Sequence, residues 1–203
     1  PFGLLLGFLI ALAKQSVEPT LRAAGNVYTT IFRGLPELLT LFLIFFGGQI
    51  ALQKIVGFVS PGTQIEVNSF LAGVIACGVV FSSYASEVFL SAFRAIPRGQ
   101  YEGGYSVGLS YGKTMRLVIL PQLIRIALPG LSNLWLILIK DTSLVSAIGL
   151  TELTRSAYEA SRVAKEPFLF FGVACLLYLG LAIVSSIGIN RIEKVVGRRE
   201  PAR

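Results

Sequence analysis

The chain has 203 residues, of which 54% are hydrophobic and 14% charged, with a mean hydropathy of +0.72 and a formal net charge of +7. Soluble domains carry about 25% charged residues, so this composition excludes one and assigns the chain to a lipid bilayer. Histidine is absent, which removes the commonest general base and the commonest zinc ligand.

In chain order, the opening PFGLLLGFLIALA is about half a span and reads as the end of a first helix, about 1–14, whose beginning is missing. A signal peptide is the competing reading, but the basic segment that should precede its apolar core is lacking. A second helix is expected over 35–53, where Leu38 to Gln53 is uncharged and Pro36 suits a first turn. A third is expected over 67–93, since Val67 to Ser86 carries no charge. Then comes a polar, basic loop, Tyr101 to Pro121, in which two short helices, Glu102–Ser106 and Ser110–Val118, are expected to flank a break at Gly108. The fourth helix, 124–149, continues from Ile126–Ile139 through the ionised pair Lys140 and Asp141. The fifth, 167–191, contains the uncharged run Phe168–Asn190. The fold class is therefore all-α integral membrane, with five transmembrane helices in a single domain over 1–203. Cys77 and Cys175 both fall mid-span in apolar runs, where a thiol stays protonated and serves packing. No catalytic or metal-ligating cluster is expected.

Lysine and arginine give the orientation, because short cytoplasmic loops carry their excess. If the first helix ends inward at Lys14, one side receives Lys14, Arg22, Arg33, Arg94, Arg98, Lys113, Arg116, Arg125, Arg191, Lys194, Arg198, Arg199 and Arg203. The other receives Lys54, Arg155, Arg162 and Lys165, a ratio of thirteen to four that puts the 101–121 loop and the C-terminus in the cytoplasm. The net charge then follows from topology and anionic lipid and carries no nucleic-acid implication. Gly108, Gly112, Lys113 and Thr114 form GxxxGKT, one residue short of the phosphate-wrapping spacing, with no strand before it. ATP binding by this chain is not expected. The loop can instead dock a partner, or lie on headgroups as an interfacial segment.

Glu102, Gly103 and Gly104, three residues, Gly108, nine residues, then Val118, Ile119, Leu120 and Pro121 resemble the EAA loop of ABC importer permease subunits, E-A-A-x3-G-x9-I-x-L-P. Glycines stand where that motif has its two alanines, and each would loosen a helix by about 1 kcal/mol relative to alanine. Arg33 to Leu39, RGLPELL, is similar to the RGxPxLL opening of a span in polar amino-acid permeases. Ala85, Glu87, Phe93, Ile96, Pro97, Gly99 and Gln100 resemble their AExxRxAxxxIPxGQ run, and Lys140–Leu144 matches their KDTSL signature. The chain thus resembles, from residue 14 to about 190, the permease family for histidine, lysine, arginine, ornithine, octopine and nopaline.

That resemblance implies the type I ABC importer permease fold and a bacterial cytoplasmic membrane location. It implies a second permease subunit, identical or homologous, a pair of ATP-binding subunits that hold ATP and magnesium, and an external binding protein; no cofactor is implied on this chain. Glu102, Gly103, Gly104, Gly108, Ile119, Leu120 and Pro121 would couple to the ATPase. The transported solute would be a polar, basic amino acid or opine. Asp141, deep in a span, is the first candidate to line its path, because ionisable residues there are costly enough to be functional by default. Neutralisation by Lys140 is the alternative, although adjacent helical residues do not face each other. Thr142 and Ser143 could add hydrogen bonds. Glu37 can complement the dipole of its own helix or contact the solute, with Arg33 four residues back. Glu87 can contact the solute or pair with Arg94 or Arg33. Two other classes stay open: a stand-alone secondary transporter or channel, which would show internal repeats, and a membrane-embedded enzyme, which would need acid, base or metal ligands at one depth.

Overall fold

A computed structural model describes residues 1–59 and 66–197, and these are helical apart from short connectors. Arg198, Arg199 and Arg203, assigned above to the cytoplasmic tail, lie outside the described residues. Among those residues, four helical stretches are long and apolar enough to cross a membrane: Glu37–Phe58, Ser69–Ala95, Tyr111–Ile148 and Pro167–Val196. The shorter apolar helix α1, Phe2–Gln15, joins them.

An element that hydropathy did not suggest follows α1. Helix α2, Pro19–Gly34, starts on a proline and is amphipathic, with arginines at 22 and 33. It ends where Leu35, which precedes Pro36, is forced into an extended conformation. The next span then begins at Glu37 as α3, Glu37–Phe42, passes through a π-helical turn at Leu43–Gly47 and continues as α4, Gly48–Val59. Helix α5, Ser69–Ala95, is capped by the Asn68 side chain, which accepts from the amides of Phe70 and Leu71.

Helix α5 is the hub, touching α1, α2, α3 and, later in the chain, α8, Leu120–Asp141. Lipid tails are as apolar as leucine, so helices associate in a bilayer through close backbone approach rather than hydrophobic exclusion. Gly3 and Gly7, four residues apart on α1, provide that approach. A Cβ on Gly7 would come within 2.9 Å of both the Ser82 carbonyl oxygen and the Ala85 Cβ. Ala11, fully buried, continues the seam into a core with Ala85, Phe89, Phe93, Ile119 and Leu123. Phe8 sits edge-on to Phe89 at 5.4 Å. A second core, Leu41, Ala72, Ala76, Val145 and Ile148, closes the other end of α5. The last span is α10, Pro167–Gly197, preceded by α9, Leu153–Ala164, whose N-terminal amides are capped by Glu152.

Between α5 and α8 the polar loop folds as α6, Arg98–Ser106, and α7, Tyr111–Thr114, which runs through a π-helical turn at Met115–Ile119 into α8. Helix α6 begins four residues earlier than the expected Glu102, immediately after Pro97, whose fixed φ suits a helix start. Gly108 takes φ +80 and lets Leu109 N–H reach the Gly104 carbonyl at 3.1 Å. Gln122 donates to Gln100 at 2.9 Å and ties α6 to α8.

The two glycines in the alanine positions are not equivalent. A Cβ on Gly103 would meet nothing within 4 Å, whereas one on Gly104 would lie 2.5 Å from Cγ2 and 2.8 Å from Oγ1 of Thr114, which is itself buried. Gly104 is therefore the partner that a β-branched residue at 114 requires. We predict that Gly104→Ala lowers the yield of folded protein in detergent and that adding Thr114→Ala restores it, while Gly103→Ala alone is neutral or stabilises by about 1 kcal/mol. Thermal melts of the four proteins check this, and a fully stable Gly104→Ala would refute the packing account.

Candidate functional site

Glu37, at the first turn of α3, and Asp141, at the last of α8, come together on one cavity. Their carboxyls are close enough to interact directly, and both act on Cys77 of α5. Apart from these two, the lining is mostly apolar: Leu41, Ala76, Val80, Phe81 and Leu134 among others, with Tyr84 bringing a phenol ring. The α5 contribution repeats every three or four residues, which is one face of the helix. Two carboxylates in such surroundings repel and are poorly solvated, so the arrangement favours a cation between them.

The other acids and hydroxyls are placed differently. Thr142 lines a second, wider cavity of about 510 Å³ between α1, α5, α8 and α10, and its hydroxyl donates to the Ile139 carbonyl. Ser143 lines neither cavity; its carbonyl accepts from Ser146. Glu87 is likewise not among the lining residues of either cavity, and pairs instead with Lys14 and, at 3.4 Å, with Arg33. Arg94, the other partner considered for it, is exposed at the end of α5. Lys14, read from the sequence as the inward end of the first helix, is 6% exposed and also donates to Thr29 at 3.1 Å. The Thr29 hydroxyl in turn donates to the Gly25 or Asn26 carbonyl. This network joins α1, α2 and α5. Hydropathy could not reveal it, because a lysine in the last turn of a helix ordinarily reads as an interfacial anchor.

In the loop, Glu102, Gly103, Gly108 and Pro121 are exposed, Leu120 is half-buried, and Gly104 and Ile119 are buried. Ile119 belongs to the core, so it anchors the loop and offers nothing to a partner. Three residues that the motif did not single out are exposed as well: Tyr105, Tyr111 and Val107, the last 74% exposed. Apolar residues inside an otherwise polar loop were the available signal. Arg98, Lys113 and Arg116 of the same loop are exposed too, so the loop offers both apolar and basic groups.

Residues 3–194 match the family described as binding-protein-dependent transport system inner membrane component. The nopaline transport system permease protein NocQ of Agrobacterium fabrum is 42% identical over 198 residues, covering 97% of this chain and 84% of the relative. The arginine ABC transporter permease protein ArtQ of Haemophilus influenzae is 38% identical over 94% of this chain and 85% of its own length. The histidine/lysine/arginine/ornithine transport system permease protein HisQ of Salmonella typhimurium is 36% identical over 95% and 84%. A crystal structure of an amino acid ABC transporter with histidines superposes with a TM-score of 0.79 at 30% identity, over 95% of this chain and 85% of that one. The MetNI methionine ABC transporter shares the fold, with a TM-score of 0.75 at 18% identity, over 96% of this chain and 88% of that one.

The Lys14 side chain is 6% exposed and that of Glu87 31%, so removing the acid leaves a nearly buried ammonium uncompensated. Glu87→Gln is therefore expected to destabilise the chain strongly, and Lys14→Met combined with Glu87→Gln to recover most of the loss. Chemical denaturation in detergent measures both, and a Glu87→Gln protein as stable as the parent would contradict the pairing.

Proposed function

We propose how this chain works from the premise that it belongs to the family of binding-protein-dependent transport system inner membrane components. It is a multi-pass membrane protein with the type I ABC importer permease fold, and a permease subunit of an importer for amino acids or opines. Beyond that premise, its solute is a polar, basic amino acid or an opine. The observation that carries this is the convergence of Glu37 and Asp141 on one largely apolar cavity, where a bound cation offsets their charge. That nopaline, arginine and histidine/lysine/arginine/ornithine are transported by the systems of similar permeases supports the same reading.

The pathway forms between this chain and a second permease subunit, identical or homologous. The exposed loop around Glu102, Gly103 and Val107 docks in a separate ATP-binding subunit, which holds ATP and magnesium, and an external binding protein delivers the solute. The thirteen-to-four distribution of basic residues supports a cytoplasmic loop and C-terminus. Closure of the ATPase pair then moves the loop as a rigid body, and α8 carries that displacement from the loop to Asp141.

Asp141→Asn and Glu37→Gln are each expected to reduce arginine uptake into proteoliposomes by about tenfold or more while the complex assembles normally. Unchanged uptake would return both carboxyls to a structural role. Glu102→Lys and Val107→Asp are expected to leave membrane insertion intact and to abolish the stimulation of ATP hydrolysis by loaded binding protein. Full stimulation in both variants would rule out docking through this face.

A further inference from the structure

The cluster beside the carboxylate cavity holds more positive than negative charge. Lys14 and Arg33 share one acid, Glu87, so the trio carries a net charge of +1. The ammonium of Lys14 is buried and engaged on two sides, by Glu87 and Thr29. Arg33 is the open member: its side chain is 45% exposed and meets Glu87 through Nη1 at 3.4 Å. A guanidinium has five donors in a rigid fork suited to a carboxylate, and one long contact leaves most of that capacity unused.

The position of this fork is fixed. Its central carbon lies 5.4 Å from the centroid of Tyr84, and Tyr84 lines the same cavity as Glu37 and Asp141. Cys77, beside the two carboxyls, and Tyr84, under the guanidinium, are two turns apart on one face of α5, about 10 Å along the helix. One end of the cavity thus holds two negative charges, and just outside the lining at the other end the surplus positive charge stands over the Tyr84 ring.

We infer that Arg33 is a specificity-determining residue that binds the α-carboxylate of the transported amino acid. This rests on the reading of the solute as a basic amino acid, and it adds the second half of the recognition. Such a molecule carries one cation at the far end of its side chain and, at the other end, an α-carboxylate beside its α-ammonium. The carboxyl pair of Glu37 and Asp141 suits the side-chain cation, and Arg33, at the Tyr84 end, suits the α-carboxylate. The Tyr84 ring holds the guanidinium plane in place, and the Lys14–Glu87 pair keeps Glu87 from claiming the whole fork.

The test compares arginine with agmatine, which keeps the guanidino and amino groups and lacks the carboxylate. Binding of labelled arginine, and competition by agmatine, are measured on the complete permease–ATPase complex in nanodiscs without the binding protein. The parent complex is expected to prefer arginine by about tenfold or more. In Arg33→Gln arginine should fall to the level of agmatine, and Arg33→Lys, which keeps the charge without the fork, should retain only part of the preference. Equal binding of the two compounds by the parent complex overturns the inference with no variant needed. So does an assembled, ATP-hydrolysing Arg33→Gln complex that keeps the full preference, or an Arg33→Lys complex indistinguishable from the parent should Arg33→Gln not assemble. In those cases the cationic-solute reading stands, because arginine still binds; a parent complex that binds neither compound removes both.

Discussion

An ammonium inside a membrane protein must have a carboxylate beside it, and the pairing of Lys14 with Glu87 therefore fixes how α1, α2 and α5 stand relative to one another. The glycine seam of α1 against α5 brings the two residues to the same depth, because Gly3 and Gly7 allow the backbones to close. Thr29 then holds α2 against the same ammonium, and Arg33 is delivered to Tyr84 at the end of that helix. The extended turn at Leu35 and Pro36 follows, so the start of α3 and its Glu37 are placed by a chain of contacts that begins at Lys14.

The spans were legible in the sequence because a long uncharged run has one stable state in lipid: a helix with every backbone group satisfied. Val67–Ser86 and Phe168–Asn190 left no alternative. Helix α2 was illegible for the complementary reason. It is short and polar, includes Gly25 and two adjacent threonines, and owes its stability to packing on Lys14 and on α5. The π-helical turns at Leu43–Gly47 and Met115–Ile119 left no signature that hydrophobic periodicity could register.

Of the candidate site, Asp141 stood out because an acid within an apolar run is expensive in a bilayer. Glu37 looked like a helix-dipole residue, and only the tertiary fold brings it to Asp141. Glu87 was legible as an ion-pair partner but not with which cation, since its main partner lies 73 residues away. Gly104 had no sequence rationale until Thr114 was seen against it, which also separates it from its neighbour Gly103.

The burial of Ile119 bears on the mechanics of the loop. Its side chain sits in the same core as Phe89 and Ala11, Tyr101 on the entry side packs against that core too, and the Gln100–Gln122 hydrogen bond ties entry to exit. Both ends of the loop therefore stand on one foundation, and its exposed tip is continuous with the helices behind it.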